Sequence, residues 1–443
     1  MISLRPPSSD RLKALFASPV FARLGRNSAS AHQEADKLGA SLDIPVCEDS
    51  TEDKTRRDMI EAGQFYARQD RWEELAGLIR AHDGARTATA SGMPVARLLS
   101  YGARADVVQP VEAALSDPGL MAAHAPKGGL AALEEVLEEF PDDYGIALIV
   151  AEAHIDIGWA WRGQGWSEEI PSRNWREFQA HFARASEILD QFDPFEHNSP
   201  AIAAARCSVV AATSAPKDRV RDDYEDLIDL DPENPRHLRA LGYFLLPRWF
   251  GDYATLEAEA QRSAERLADV WGKSGAYVWV YLDAISVDPE TLSVLDVERF
   301  LGGMKDILTR VPDQHNANAL AAWCAVTMTA ARFHTSPHKA KAQSLARAFE
   351  WVLQGHLREI HPLLWGMAAH APDRSPPTLP DLAREGRTQA LLRIGRHFER
   401  DIRRGGRVIS RVEGLWVEPL LGSVVVVVVV VVAVVVVVVV VVV

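Results

Sequence analysis

Four prolines that follow apolar helical stretches constrain the fold of this chain more than any other feature. Each is preceded at five residues by an aliphatic residue and followed at ten residues by glycine or alanine. The prolines are Pro141, Pro194, Pro232 and Pro312, the aliphatic residues Val136, Leu189, Leu227 and Ile307, and the small residues Ala151, Ala204, Gly242 and Ala322. Proline cannot continue the preceding helix, so it marks a boundary between two helices. The small residue lets the partner helix of the hairpin approach closely.

The spacing of these prolines indicates a repeated unit. The intervals are 53, 38 and 80 residues, and the last is about two units of the middle one. Apolar residues also recur at helical intervals from Asp58 onward and are interrupted near Gln69-Asp70-Arg71, which is typical of a helical hairpin. The sequence therefore predicts an all-α fold, an α/α helical-repeat array of stacked hairpins over residues 57–400.

One junction between units resembles a known repeat family. The stretch from Tyr224 to Leu245 contains Leu241-Gly242, and Ala254 follows Gly242 by twelve residues. This pattern is similar to the junction between consecutive tetratricopeptide repeats, which implies a TPR-like array of helical hairpins. The segment 246–252, Leu-Pro-Arg-Trp-Phe-Gly-Asp, also resembles a signature in uncharacterised bacterial domains of unknown function, and it implies no activity.

The two ends of the chain differ from the repeat region. Residues 1–56 mix proline, serine and acidic residues and are predicted to be a low-order lead-in. Residues 401–423 form a basic linker, and residues 424–443 are all valine except Ala433. About twenty apolar residues are long enough to cross a bilayer, so the tail is a membrane anchor or an artefact of the gene end. In water, the same β-branched run favours strands.

Charge and cysteine content narrow the range of partners and compartments. The net charge is −13 and the pI is about 5.6, which disfavours binding to nucleic acid. Cys47, Cys207 and Cys324 lie more than a hundred residues apart, unlike metal knuckles or redox pairs. The first residues lack the apolar run of a secretory signal. We expect a cytoplasmic protein, or a membrane-associated one if residues 424–443 form an anchor.

No recognisable catalytic motif occurs in the sequence. His334 and His338 have the spacing of metal ligands on one helical face, but Pro337 interrupts the helix and no glutamate follows His334. Glu152, His154 and Asp156 alternate, and on a helix only Glu152 and Asp156 share a face. We predict no catalytic residues, no cofactor and no metal site.

The most unusual local feature is a tryptophan-rich insertion between Pro141 and Pro194. It places four tryptophans within seventeen residues and includes two arginines. The candidate binding residues are Trp159, Trp161, Arg162, Trp166, Arg173 and Trp175. Tryptophan and arginine dominate binding hot spots, whereas large aromatic residues also seal a loop against its own scaffold.

These observations predict a scaffold that binds a protein or a peptide in the groove of the array. Two alternatives remain open. The first is an enzyme whose active site is assembled from scattered groove residues. The second is a membrane-tethered assembly factor, if the valine tail is a working anchor.

Overall fold

The prediction of an all-α array of helical hairpins is confirmed by the computed structural model. It describes residues 31–116, 128–163, 170–212, 215–369 and 378–419, and the backbone of 425–432 and 435–442. The helices are α1 (Thr51–Arg68), α2 (Trp72–Gly84), α3 (Val95–Ser116), α4 (Gly128–Glu139), α5 (Tyr144–Arg162), α6 (Ser172–Leu189), α7 (Pro200–Val209), α8 (Pro216–Leu230), α9 (Pro235–Phe244), α10 (Tyr253–Arg266), α11 (Ala268–Trp271), α12 (Gly275–Val287), α13 (Val297–Arg310), α14 (Gln314–Ala322), α15 (Ala331–His334), α16 (Lys339–Ala346), α17 (Ala348–Gly355), α18 (Pro362–Met367), α19 (Leu379–His397) and α20 (Glu399–Arg403). Residues 31–39 are also helical.

The hairpins stack in two layers. The first helix of one hairpin packs against the first helix of the next, as α1 does on α3, α3 on α5, α5 on α7 and α9 on α12. Second helices such as α6, α8 and α13 pack against the first helices on either side of them. Each hairpin therefore buries its apolar sides against its neighbours, which is how a repeat array is stabilised.

The four prolines lie between helices, as the sequence predicts. Each separates the second helix of one hairpin from the first helix of the next: α4 from α5, α6 from α7, α8 from α9 and α13 from α14. A polar residue after each proline then caps the new helix through its side chain. The caps are Asp143 on Gly145 N–H, Ser199 on Ile202 N–H, Asn234 on Arg236 N–H and Asp313 on Asn316 N–H.

Gly242 permits a close approach of two helices, but its neighbour differs from the predicted one. A Cβ atom placed on Gly242 would lie 1.8 Å from the backbone oxygen of Val280. Val280 belongs to α12, the first helix of the next hairpin, and not to α10, the partner within the same hairpin. The prediction of a close approach is confirmed, and its assignment to the hairpin partner is wrong. The reason is that α10 follows a turn at 245–252 and packs mainly on α12.

Residues 31–56, within the predicted low-order lead-in, have defined structure because they pack on the C-terminal end of the array. Strand β1 (Leu42–Asp43) pairs in parallel with β2 (Arg407–Ser410), which pairs antiparallel with β3 (Leu415–Glu418). Val46 forms a further parallel bridge with Ile360. The segment before the first helical hairpin thus packs directly against the C-terminal end of the array.

The valine tail has strand geometry where the structure describes its backbone. Strand β4 (Val425–Val432) pairs antiparallel with β5 (Val435–Val442). This agrees with the strand preference of β-branched residues. Among the described residues, no helix has the length and apolarity needed to traverse a bilayer.

We expect the contact between α5 and α6 to make the protein sensitive to acid. Nδ1 of His154 lies 2.9 Å from Nδ1 of His181, so one nitrogen donates a hydrogen bond and the other accepts it. Burial, with a smaller effect of His154, lowers the pKa of His181 to about 4. In the unfolded chain this pKa is about 6.5, so protonation favours unfolding. The free energy of unfolding therefore has its full value above about pH 6.5. It falls as the pH drops toward 4, by up to about 1.4 kcal/mol per pH unit.

Urea denaturation between pH 4 and pH 7.5 measures this effect. The variant His181→Gln keeps a hydrogen-bonding side chain that does not titrate, and it should lose part of the slope below pH 6.5. An unchanged slope in this variant would contradict the assignment.

Candidate functional site

Two adjacent cavities, called lobes below, lie between the first helices of the hairpins. The first lobe, of about 390 Å³, is bounded by α3, α5, α7 and α9. The second lobe, of about 310 Å³, is bounded by α9, α12, α14 and α18, and by the start of α1. Arg236, Arg239 and Asp283 line both lobes and form their common wall. We call the two lobes together the groove.

Two arginines in the groove, Arg97 and Arg236, have no anionic partner within the described part of the chain. The side chains of Arg97 and Arg236 make no hydrogen bond or ion pair with any residue that the structure describes. Burial lowers the pKa of Arg236 to about 10, and the positive charges of Arg239 and Arg97 add to this effect. Arg236 is nevertheless charged at neutral pH, and a partly buried charge without a partner is costly.

The carboxylates around the groove already have partners within the protein. Asp283 forms two hydrogen bonds with the Arg239 guanidinium, at 3.0 and 2.8 Å. The other acidic residues pair as follows: Asp231 with His237 and Asn234, Asp83 with Ser199 and the Ala201 N–H, Glu152 with Arg104, Glu52 with Ser91, Glu48 with Arg387, and Asp53 with Ser50. Among the described residues, the charged groove side chains without a hydrogen-bonding partner are therefore arginines, although the whole chain is acidic.

The walls of the groove also offer apolar surface and one unused donor. Tyr243 and Phe244 are half-buried in the first lobe, and Met367 is 49% exposed beside the second. Trp279 lines the second lobe and is 3% exposed. Its indole Nε1 has no hydrogen-bond partner in the described part of the chain. A buried donor of this kind is satisfied by an acceptor that enters the cavity.

His315 and Glu52 are the titratable pair of the second lobe. Burial lowers the pKa of His315, and the negative charge of Glu52 opposes this effect. Burial raises the pKa of Glu52, but hydrogen bonds from Thr89 and Ser91 outweigh it and hold the pKa below its usual value. Glu52 is thus a stable carboxylate that fixes the turn at Ser91.

The tryptophan-rich insertion lies away from the groove, at the end of α5 and the start of α6. Trp159 packs edge-on against Phe178 and Phe182, with ring centroids 5.3 and 5.5 Å apart. The centroid of Trp175 lies 5.6 Å from that of Phe178, also edge-on. None of the described candidate residues lines either lobe.

The two arginines of the insertion lie against its tryptophan rings. The guanidinium of Arg173 lies 5.1 Å from the centroid of Trp161, which is 4% exposed. The guanidinium of Arg162 lies 5.9 Å from the rings of both Trp159 and Trp175. Trp166 lies outside the described residues. The candidate residues that are described therefore form one aromatic cluster, and a binding role for it stays a prediction.

Of the three alternating polar residues of α5, two lie on one helical face and the third on another, as the helical period predicts. Glu152 and Asp156 both contact Arg104, at 2.8 and 2.7 Å. His154 lies on another face, and its Nε2 is 2.8 Å from Glu134. The shared face of Glu152 and Asp156 is confirmed, and these residues form an ion-pair network between α3 and α5.

No local pattern in the sequence points to the full set of groove arginines. Arg236 and Arg239 are three residues apart in α9, so their spacing places them on one helical face. Arg97, however, lies in α3, and no local pattern connects it to α9. Only the stacking of the first helices brings these residues to one cavity.

Comparisons of this chain with protein-family models, with curated proteins and with solved structures find no match. The resemblance to tetratricopeptide repeats therefore stays a prediction.

Proposed function

We propose that this protein binds a short acidic peptide segment of a partner protein in the groove. The observation that carries the proposal is the Arg236 guanidinium, which is partly buried, charged and without an anionic partner in the described part of the chain. A carboxylate of the ligand would supply that partner. Guanidinium and carboxylate groups match in geometry and form charge-assisted hydrogen bonds.

The distribution of groups favours a peptide over a single small anion. Arg97 lies in the first lobe, Arg236 between the lobes, and Arg56 at the edge of the second. Apolar side chains flank the positive groups in both lobes, and Trp279 offers a donor for a backbone carbonyl. A chain with acidic and apolar side chains matches this alternation, and the helical-hairpin architecture suits the presentation of such a groove.

The state of the cysteines supports a cellular compartment for this protein. All three cysteines are free, two of them buried, which supports a reducing compartment such as the cytoplasm. We propose a TPR-like scaffold with no catalytic role as the description of the whole chain.

A library of fluorescein-labelled hexapeptides, with glutamate, lysine, leucine or serine at each position, tests this function by fluorescence anisotropy. We expect peptides with two or more glutamates to bind best, and more weakly as salt rises. The double variant Arg97→Gln/Arg236→Gln should bind them at least about 10- to 100-fold more weakly, because each charged hydrogen bond contributes about 1.5–3 kcal/mol. Arg176→Gln, which changes an exposed arginine of α6, is the matched control and should bind normally.

Two results would overturn the proposal. One is equal binding of acidic and basic peptides. The other is complete competition by free glutamate or inorganic phosphate at the concentration of the peptide itself, which would identify a site for small anions.

A further inference from the structure

Three donor side chains of different chemistry meet beside the second lobe of the groove. The Cys47 thiol, a Glu359 carboxylate oxygen and an imidazole nitrogen of His361 all lie within 4.8 Å of one another. Nε2 of His361 is 2.8 Å from Oε1 of Glu359. No other group of three such donors occurs in the part of the chain that the structure describes.

The backbone places these three residues by a specific pairing. Cys47 N–H donates to the oxygen of Ile360, and Ile360 N–H donates to the oxygen of Pro45, both at 2.8 Å. Val46 and Ile360 are thus paired in a parallel bridge. Cys47 follows one member of the pair, and Glu359 and His361 flank the other. The site therefore forms only when the N-terminal segment has docked.

A buried amide fixes the segment that carries two of the donors. Asn318 is fully buried, and its Nδ2 donates to the oxygen of Glu359 at 2.9 Å. Its Oδ1 accepts from the N–H of His361 at 2.9 Å. Gln314, one turn earlier in α14, accepts from the N–H of Glu359 at 3.2 Å. The backbone of this segment is consequently held by two side chains of α14.

We propose that Cys47, Glu359 and His361 bind a Zn²⁺ ion, with the fourth coordination position open to the second lobe. Thiolate, imidazole and carboxylate are the ligands that Zn²⁺ takes in proteins, and three of them leave one position for water or another ligand. Tetrahedral Zn²⁺ places its ligand atoms about 3.3–3.8 Å apart, so the donors need to move by about 1 Å at most. Cys47 and His361 both line the second lobe, which supplies the open position.

The Cys47 thiol must lose its proton to become a metal ligand. Burial raises the pKa of the Cys47 thiol, and the nearby charge of Glu359 raises it further. The thiol is therefore protonated at neutral pH in the absence of a metal. Coordination replaces its proton by Zn²⁺, and one proton is released to solvent on binding.

Co²⁺ added to the metal-free full-length protein reports this site, because Co²⁺ adopts zinc geometry and gives a thiolate charge-transfer band. We expect one equivalent of Co²⁺ to produce the band and one equivalent of Zn²⁺ to abolish it. Cys207→Ser is the matched control, because Cys207 is a buried cysteine elsewhere in the array, and it should retain the band. Cys47→Ser should remove it.

A second variant keeps the test decisive if Cys47→Ser folds poorly. Glu359 is about one-third exposed, so Glu359→Gln should leave the circular dichroism spectrum unchanged. We expect it to weaken Zn²⁺ binding, measured by calorimetry, by more than the about 10- to 100-fold that loss of an outer-shell partner causes. The proposal fails if the wild-type protein gives no thiolate band, if Cys47→Ser retains it, or if Glu359→Gln binds Zn²⁺ as tightly as the wild type.

Discussion

Gly242→Ala should lower the free energy of unfolding by about 3 kcal/mol or more, as overpacking at a rigid contact does. The added Cβ would lie 1.8 Å from the oxygen of Val280 and 2.8 Å from its carbonyl carbon. Backbone atoms cannot rotate away as a side chain does, so α9 and α12 must separate. Both helices line the groove, and their separation exposes the apolar cluster between them. Urea denaturation followed by circular dichroism measures the loss.

Gly302→Ala is the matched control for this prediction. Gly302 lies in α13, is exposed, and has no atom within 4 Å of an added Cβ. The same substitution there should raise the free energy of unfolding by about 0.5–1 kcal/mol, because alanine loses less backbone entropy in a helix. Equal effects at the two positions would contradict the close approach of α9 and α12.

Asn318→Ala should lower the free energy of unfolding by about 3–5 kcal/mol, because it removes four hydrogen bonds from a fully buried site. The Asn318 side chain donates to the oxygens of Gln314 and Glu359, at 2.8 and 2.9 Å. It accepts from the N–H of His361 and from Nε1 of Trp365, both at 2.9 Å. Trp365 is fully buried, so its indole donor cannot turn to water. The variant should also weaken Co²⁺ binding, since Glu359 and His361 lose their support.

The effect of Asn318→Ala is measured against Asn316→Ala in the same helix. Asn316 is also buried, but its Nδ2 makes a single hydrogen bond, with Asp313 at 3.2 Å. We expect this variant to lower the free energy of unfolding, measured by urea denaturation, by about 1 kcal/mol. Equal stability of the two variants would show that the buried network around Asn318 does not hold the segment 356–361.

The helical hairpins were predictable because their signals are local. A proline acts on the residues next to it, and a helical period is visible within a dozen residues. The sequence therefore places Ile307 and Leu227 in helices near a boundary, and both are buried in the structure. The turn at Gln69–Arg71 was found for the same reason, and α1 ends at Arg68 while α2 begins at Trp72.

The groove and the donor cluster were not predictable because their residues are distant in sequence. Arg97 and Arg236 are 139 positions apart, and Cys47 and His361 are 314 positions apart. Nothing near Cys47 indicates that residues 45–47 pair with residue 360. The sequence suggested the tryptophan-rich insertion instead, since a dense local cluster is easier to recognise than a cavity that several helices form together.

Photo-crosslinking locates the binding surface and tests the central claim most directly. The tightest acidic hexapeptide, with a benzophenone in place of one apolar side chain, is irradiated with the full-length protein, and the adducts are mapped by mass spectrometry. We predict adducts on the groove walls, at Tyr243, Phe244 and Met367, which the Arg97→Gln/Arg236→Gln variant should lose. Adducts concentrated at residues 159–175, or unchanged in that variant, would contradict the assignment of the groove as the binding site.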